Sequence, residues 1–219
     1  MARKTHSSPE QAKQAILDAA EKIMIKVGPA GLRISAVAKL ASMAHPNIIH
    51  HFGSRDGLIN AIAERVGLRA TERITKAITK ATKAAPKDRV AAMTHVLDVA
   101  YAGDQGKAAV WLHISGAESD FNDNMQRIVA LSHRLRKAID PKANLENTNR
   151  LVMLVTLALV GEVVSGADVK GALGFNSSNG SRAHFHQWLA EILLNLTDKQ
   201  WATSLGSTNE CIGNKDEPI

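Results

Sequence analysis

The stretch LRISAVAKLASMAHPNIIHHFGSRDGL, from Leu32 to Leu58, decides the fold. Its apolar residues repeat at helical spacing in two short groups: Ile34, Val37 and Ala38, then Ile48, Ile49 and Phe52. Pro46 suits the first turn of the second group, where its missing N–H costs nothing. The pattern predicts two short helices joined by a tight turn, a helix-turn-helix, and then a third helix capped by Ser54.

Several short motifs in this stretch follow one another in a recognisable order. They are Val37-Ala38, Ala41-Ser42-Met43-Ala44, His50-His51-Phe52, Ser54-Arg55-Asp56 and Leu58. In order and spacing they resemble the DNA-binding domain of the TetR family of bacterial transcriptional regulators, over roughly residues 10 to 66. The resemblance implies an all-α protein with an N-terminal three-helix helix-turn-helix domain and a C-terminal helical domain for ligand binding and dimerisation.

Four residues depart from the pattern of that family. Arg33 stands where a capping Thr is usual, Ser42 replaces the Gly of the turn, Ala44 replaces a capping Ser, and Ile49 replaces a Tyr that usually reaches a phosphate. A lost cap costs about 1 kcal/mol, and a residue other than Gly in the left-handed region costs a similar amount. Ser35 could cap the second helix in place of Arg33. We expect these changes to weaken stability and DNA contacts without removing the motif.

The second helix of the motif is expected to present its polar side chains to DNA. Asn can read an adenine edge with two hydrogen bonds, and His can donate to guanine or to phosphate. Ordinary surface polarity is the alternative explanation for these side chains. The predicted DNA-binding set is Arg33, Ser35, Ala44, His45, Pro46, Asn47, Ile49, His50, His51 and Arg55.

Composition agrees with a helical, nucleic-acid-binding protein. The 219 residues are 45% hydrophobic and only 4% aromatic, with six prolines, and no stretch alternates as a strand would. The formal net charge of +6 suits a polyanionic partner, although a basic balance also arises from solubility alone. The single cysteine, Cys211, cannot form an internal disulfide, which fits the reducing cytoplasm.

We divide the chain into four regions. Residues 1–9 are predicted to be a flexible basic arm, 10–66 the TetR-type DNA-binding domain, 67–200 the helical ligand-binding and dimerisation domain, and 201–219 a disordered tail. The resemblance implies that the helix from Asp56 to about Ala84 joins the two domains. We expect this helix to be the only element that transmits movement between the two domains. Its far half should lie against the region of Trp111, and its basic residues, including Arg73, should lie on a solvated face.

The apolar residues of the C-terminal helices have two predicted uses. The predicted ligand-binding set is Met93, Tyr101, Trp111, His113, Phe121, Met125 and Met153, with ordinary core packing as the alternative. The resemblance implies that the last two long helices pair two subunits in a four-helix bundle. The predicted dimer face is Leu157, Val160, Val164, Phe185, Trp188, Leu189, Ile192 and Leu196. The apolar run from Leu151 to Val160 is half a membrane span, so we expect a buried core helix and no membrane association.

No signature of catalysis or metal binding stands out in the sequence. There is no HExxH, P-loop or Cys/His cluster, and adjacent histidines such as His50-His51 point about 100° apart on a helix. We predict no catalytic residue, no metal and no cofactor. The predicted function is a ligand-responsive repressor that binds a palindromic double-stranded DNA operator as a homodimer and responds to an unknown small-molecule effector. The alternative is a small-molecule-binding helical protein whose DNA binding has weakened.

Overall fold

The computed structural model describes residues 8–101, 103–117, 121–175 and 181–196. Over these ranges the chain is helical, with no strand, and the predicted all-α class is confirmed. The helices are α1 (Pro9–Gly31), α2 (Ile34–Ala41), α3 (His45–Phe52), α4 (Arg55–Ala81), α5 (Arg89–Ala100), α6 (Gly103–Ile114), α7 (Phe121–Ile139), α8 (Leu145–Ala172) and α9 (Arg182–Asn195). The basic arm up to residue 7 and the predicted tail at 201–219 lie outside the described residues.

The described helices form two compact units. The first comprises the chain up to Arg73, Val99–Met125 and Leu159–Gly166, and the second comprises Ile74–Asp98, Gln126–Ala158 and the chain from Ala167. Helices α4, α5, α7 and α8 each contribute residues to both units. The boundary between residues 66 and 67 that the sequence suggested stays a prediction.

The first unit is built on α1, whose start follows from local sequence. The Ser8 hydroxyl accepts a hydrogen bond from the Gln11 N–H, and the Gln11 side chain accepts one from the Ser8 N–H, which completes a capping box. Pro9 occupies the first helical position. Behind this cap, one face of α1 joins α2, α3 and the first half of α4 in a common core, whose fully buried members include Ile16, Ala20, Met24, Val37, Ile48, Leu58 and Ile62.

Helix α6 also belongs to this core. Ala108 and Leu112 are buried in the same cluster as the helix-turn-helix residues. The Trp111 ring lies against Gly28, where α1 kinks and a Cβ would be 3.7 Å from the ring. Gly28 adopts φ +72°, a conformation that side chains with a Cβ avoid. Because α6 touches the DNA-binding domain directly, the helix after Asp56 is not the only element that can transmit movement to that domain, and this expectation is wrong.

The second unit is held by polar contacts as well as apolar ones. His186 of α9 is fully buried, and its Nδ1 lies 2.6 Å from the Asp98 carboxylate of α5. Between α7 and α8, the buried Thr148 hydroxyl lies 2.9 Å from His133 Nδ1 and accepts a hydrogen bond from Arg136. These contacts between distant positions of the sequence fix which helices are neighbours in this unit.

Helix α8 differs from the expectation of a buried core helix. Leu151 and Leu159 are buried, but Met153 and Leu157 are 58% and 63% exposed. The apolar part of α8 is almost entirely outside the protein interior. The expectation is wrong because the single chain provides packing partners for only one side of this helix.

Candidate nucleic-acid interface

The turn between α2 and α3 is the most constrained part of the first unit. Ser42 adopts φ 54° and ψ 42°, and it is the only residue other than glycine with positive φ within the described ranges. The N–H of Met43 donates to the Ala38 carbonyl at 2.9 Å, which closes the end of α2. The turn is therefore tight and correctly closed, but it holds a serine in a conformation that costs about 1–2 kcal/mol for a residue with a Cβ.

Both helices of the motif begin without a side-chain cap. Arg33 is the N-cap residue of α2 and Ala44 that of α3, and neither side chain accepts a hydrogen bond from the first turn. Ser35 does not take over this role, because it lies within α2 and is exposed. The expected loss of capping is confirmed, and the proposed replacement by Ser35 is wrong.

Helix α3 presents nearly all of its polar residues to solvent. Ile48 is its only buried residue and anchors the helix in the core. On the rest of the helix, His45, Pro46, Asn47, Ile49 and His50 are exposed and His51 is half-buried. A short helix held in the core by Ile48 and, at its end, by the partly buried Phe52, with an exposed polar face, has the shape of a helix that enters the major groove.

The end of α3 and the start of α4 are joined by a tight bend. Gly53 closes α3 with φ +72°, and the Ser54 hydroxyl accepts a hydrogen bond from the Gly57 N–H at 2.9 Å, which confirms Ser54 as the cap of α4. A Cβ on Gly57 would lie 2.1 Å from the Phe52 carbonyl oxygen, so no other residue fits there. Sequence reasoning missed the requirement at Gly57, since the clash involves backbone atoms that only the fold brings together.

Arg55 has an internal role that the sequence did not reveal. Its guanidinium donates to the carbonyl oxygens of Leu32 and Ala30 at 2.9 Å and 3.2 Å, and also to that of Pro29. These carbonyls belong to the last turn of α1 and the residue after it, where backbone acceptors lack helical partners. Arg55 therefore ties the end of α1 to the start of α4, and contact between Arg55 and DNA stays a prediction.

Exposed cations flank the helix-turn-helix, while others are neutralised. Arg33 and Lys39 are exposed on α2 and its cap. By contrast, Arg65 of α4 pairs with Asp18 and Glu21 of α1, at 2.7 Å and 2.5 Å. The first pair of cations is available for a polyanion, whereas Arg65 stabilises the packing of α1 on α4.

The comparisons with known proteins agree with this geometry. Residues 16–69 match the family model described as bacterial regulatory proteins, tetR family. The N-terminal part of the chain is thus similar to the DNA-binding domain of the TetR family. It is also 32% identical over 69 residues to an HTH-type transcriptional repressor of Mycobacterium tuberculosis and to an HTH-type transcriptional regulator of Mycobacterium bovis. Each match spans 32% of this chain, and the chain thus covers little more than a third, 37%, of the relative's length.

Solved TetR-family structures share the fold over most of the chain. A putative TetR-family regulator from Mesorhizobium loti has a TM-score of 0.60 at 13% identity and covers 86% of this chain and 98% of its own. A TetR-family regulator from Pectobacterium atrosepticum has a TM-score of 0.58 at 19% identity, with 87% and 96% coverage. The multidrug binding protein EbrR, solved with imidazole, has a TM-score of 0.57 at 15% identity, with 86% and 97% coverage. Identities this low show the TetR fold and nothing more specific.

The predicted ligand-binding residues fall into both units. Tyr101, Trp111, His113, Phe121 and Met125 lie in the first unit, and Met93 and Met153 lie in the second. His113 and Phe121 stack with ring centroids 4.7 Å apart, so α6 and the start of α7 meet there. Burial raises the pKa of the Tyr101 phenol above its usual value of 10.0.

Met153 lies on the outer surface of α8. It is 58% exposed and lies four residues before Leu157, on the same face of α8. It therefore extends the outer apolar surface of α8. Its assignment to a ligand site, like that of the other members of the set, stays a prediction.

The predicted dimer residues divide according to their exposure. Leu157, Val164 and Trp188 are exposed, and the Trp188 and Phe185 rings stack with centroids 6.1 Å apart. Val160, Phe185, Ile192 and Leu196 are half-buried. Leu189 is buried inside its own chain, about 100° around α9 from the exposed Trp188, so its assignment to the dimer face was wrong.

Proposed function

We propose that this chain is a ligand-responsive transcriptional repressor of the TetR family that binds a palindromic DNA operator as a homodimer in the cytoplasm. The observation that carries the proposal is the state of α3. Ile48 alone is buried, while His45, Asn47 and His50 are exposed on a short helix that follows a closed turn. A buried anchor with an exposed polar face fits base-edge and phosphate contacts in the major groove.

Electrostatic attraction supplies the bulk of the proposed affinity. The exposed Arg33 and Lys39, together with the histidines of α3, favour a polyanion, and the net charge of +6 acts in the same direction. Each phosphate contact releases counterions, so log K should fall with log salt with a slope of roughly 0.9 per contact. The test is fluorescence anisotropy on operator fragments selected from random duplex DNA, at a series of salt concentrations. Binding that does not change with salt, or a failure to select any sequence, contradicts the proposal.

The proposed dimer uses the exposed apolar surface of α8 and α9. Met153, Leu157, Val160 and Val164 recur at spacings of four, three and four residues and so share one face of α8. Within the second unit, Lys170 of α8 lies 5.8 Å from the Phe185 ring of α9, which places α9 beside the end of α8. A second copy would cover this surface in a four-helix bundle. The two α3 helices would then meet half-sites about 34 Å apart.

By length and composition alone, α8 also qualifies as a membrane-crossing helix. Two features favour a second subunit instead. Leu151 and Leu159 pack inside the chain, and Glu146, Arg150 and Glu162 lie on the same helix. Charged residues at the centre of a bilayer are costly, whereas a helix bundle leaves them at its solvated edges.

Signal transmission is proposed to run through α6 as well as α4. Trp111 lies against Gly28 at the kink of α1, and Ala108 and Leu112 are in the helix-turn-helix core. A ligand that favours one position of α6 would thereby favour one position of α1. Regulation requires that the ligand bind the two positions of α6 with unequal affinity, since a ligand with equal affinity for both does not shift the equilibrium between them.

A helical small-molecule-binding protein with weakened DNA binding is the second candidate. The uncapped starts of α2 and α3 and the left-handed Ser42 favour it. Replacing Ser42 with Gly and Ala44 with Ser restores the residues usual in the family. Specific DNA binding by this double variant, with none by the natural protein, would support the second candidate over the first.

A further inference from the structure

Helix α3 carries three histidines and no lysine, arginine, aspartate or glutamate. His45 stands at its first position, and His50 and His51 stand in its last turn. His45 and His50 are exposed, and His51 is half-buried. Two positions along a helix correspond to about 200°, so His50 lies almost opposite the buried Ile48. Among the side chains of α3, imidazoles alone can therefore present a positive charge to DNA, and only when they are protonated.

The imidazoles of α3 have no polar partner in the part of the chain that the structure describes. There, no side-chain hydrogen bond or ion pair involves His45, His50 or His51. The His50 and His51 rings meet edge to face with centroids 5.6 Å apart, and the His51 ring lies 6.2 Å from that of Phe52. These ring contacts leave the nitrogens without an internal acceptor for a proton, so such an acceptor has to come from a bound molecule.

Histidines of the second unit provide the internal comparison. His186 is fully buried, and its Nδ1 lies 2.6 Å from the Asp98 carboxylate. The Nδ1 of His184 lies 2.7 Å from the Ser181 hydroxyl at the start of α9. These two imidazoles are engaged within the chain, whereas those of α3 face solvent on a surface that the proposed function assigns to a polyanion.

The permanent charges closest to α3 in sequence are mostly positive. Arg33 and Lys39, on α2 and its cap, are exposed, while Arg55 and Asp56 at the start of α4 pair with each other at 3.1 Å. The other titratable residues of α1, of the first half of α4 and of α6 are Glu10, Lys13, Asp18, Glu21, Lys22, Lys26, Glu64, Arg65, Asp104, Lys107 and His113. Within the described ranges, none of their carboxylates pairs with a histidine of α3. A negative partner for a protonated histidine on α3 is therefore expected from a ligand, and DNA phosphate is such a partner.

We propose that the histidines of α3 make DNA binding pH-dependent: phosphate contact is coupled to proton uptake at His45 and His50, so DNA is held at mildly acid pH and released as pH rises. Imidazole is the side chain that ordinarily changes its charge between about pH 5 and about pH 8. When protonated, it donates hydrogen bonds from both ring nitrogens. The proposal rests on the proposed function for the DNA contact and names a signal that would regulate that same surface.

The direction of the pH dependence follows from the linkage between protons and DNA. A phosphate beside a histidine favours the charged form, so the complex binds more protons than the free chain. The affinity is therefore highest on the acid side of this range and is lost as pH rises and the complex gives up its protons. Because a charged hydrogen bond is roughly twice as strong as a neutral one, the affinity should fall on the order of tenfold per histidine between about pH 6 and about pH 8.

The test is fluorescence anisotropy of the full chain on a selected operator and on a random duplex, at fixed ionic strength from about pH 5.5 to about pH 8.5, the range in which histidine titrates. The double variant His45→Gln, His50→Gln should bind at the acid end as weakly as the natural protein does at the alkaline end. His95→Gln is the matched control, because His95 is an exposed histidine of α5 in the second unit and its loss should leave the pH dependence unchanged.

A second double variant separates charge from hydrogen bonding. His45→Lys with His50→Lys stays charged throughout the range, so it should bind DNA at about pH 8 more tightly than the natural protein, with little pH dependence. Salt provides a further readout. In the natural protein, the slope of log K against log salt should be steeper at about pH 6 than at about pH 8, by roughly 0.9 for each histidine that contacts a phosphate.

Several outcomes would overturn the proposal. They are a pH-independent affinity of the natural protein, an undiminished pH dependence in either double variant, and a salt slope that is equal at both pH values. Circular dichroism of each protein across the range shows whether the fold stays intact. A natural protein that loses helix at the alkaline end would also overturn the proposal, since the pH dependence would then belong to folding.

The two DNA molecules distinguish this proposal from the proposed function. A chain that selects a sequence and binds it with the same affinity at every pH retains the repressor and overturns the histidine coupling. A chain that selects no sequence, but binds the random duplex with a pH dependence that the double Gln variant lacks, retains the coupling and overturns the repressor. A chain that binds neither DNA at any pH overturns both.

Discussion

The turn between α2 and α3 gives the sharpest test of the physical reasoning. Ser42 is held at φ 54° and ψ 42°, and the uncapped Ala44 has the extended backbone, φ −74° and ψ 143°, of an N-cap residue. The double substitution Ser42→Gly and Ala44→Ser should therefore stabilise the protein without moving its backbone. The left-handed serine costs about 1–2 kcal/mol, and the extra freedom of glycine in the unfolded chain offsets about 0.5–1 kcal/mol of that.

The capping half of the change can be worked out in the same way. Pro46 has no N–H, so a serine at position 44 would accept from the N–H of Asn47, which already lies over the Ala44 carbonyl oxygen at 3.0 Å. Such a cap contributes about 1 kcal/mol. The two changes together should add about 1–2.5 kcal/mol, which corresponds to about 2–10 °C in Tm for a chain of this length.

The assay is thermal and urea denaturation followed by circular dichroism, with an unchanged urea m-value as evidence that the folded state is the same. Ser35→Gly is the matched control, because the same substitution inside the exposed part of α2 should lower stability by about 0.5 kcal/mol. Ser54→Ala, which removes the observed cap of α4, should lower it by about 1 kcal/mol. A double variant no more stable than the natural protein would refute the account of strain and missing caps at this turn.

Three further results are expected. Arg55→Met should destabilise the protein by about 2–3 kcal/mol in urea denaturation, since it leaves carbonyls at the end of α1 without a charged donor. Arg33→Met should leave stability unchanged but reduce the slope of log K for DNA binding against log salt by about one. Equal effects of the two variants on stability would contradict this distinction. The double variant Leu157→Glu, Val164→Glu should be monomeric in light scattering, because charge would be buried in the dimer face. The control Val169→Glu, at a similarly exposed position more than 100° around α8, should remain a dimer. The opposite pattern would place the interface elsewhere. Tyr101 is the only tyrosine, so its ionisation can be followed directly by ultraviolet titration. Because burial raises its pKa, the ionisation midpoint should lie above pH 10.0 in the folded protein, and the stability that Tyr101 contributes should be present below pH 10 and lost as pH rises beyond it. A midpoint at or below 10 would contradict its burial.

The sequence determined the local features of the DNA-binding domain. Ser8 with Gln11, the proline positions, the apolar spacing around Ile48 and the cap at Ser54 are all local signals, because each depends on atoms within four residues. The penalties at Ser42 and Ala44 could also be foreseen, since a turn of known type prescribes the backbone conformation of its residues. The helical class followed for the same reason.

Tertiary structure decided everything that depends on which surfaces meet. Arg55 reaches carbonyls more than twenty residues away, Gly57 is required by the Phe52 oxygen, and His186 pairs with Asp98 across 88 positions. Helical periodicity marks a face as apolar but does not say whether that face meets its own chain or another molecule. For that reason Leu189, which is buried in its own chain, was misassigned to the dimer face. Arg73, a basic residue that the sequence places among solvated lysines, likewise proved to be partly buried beside Gln105.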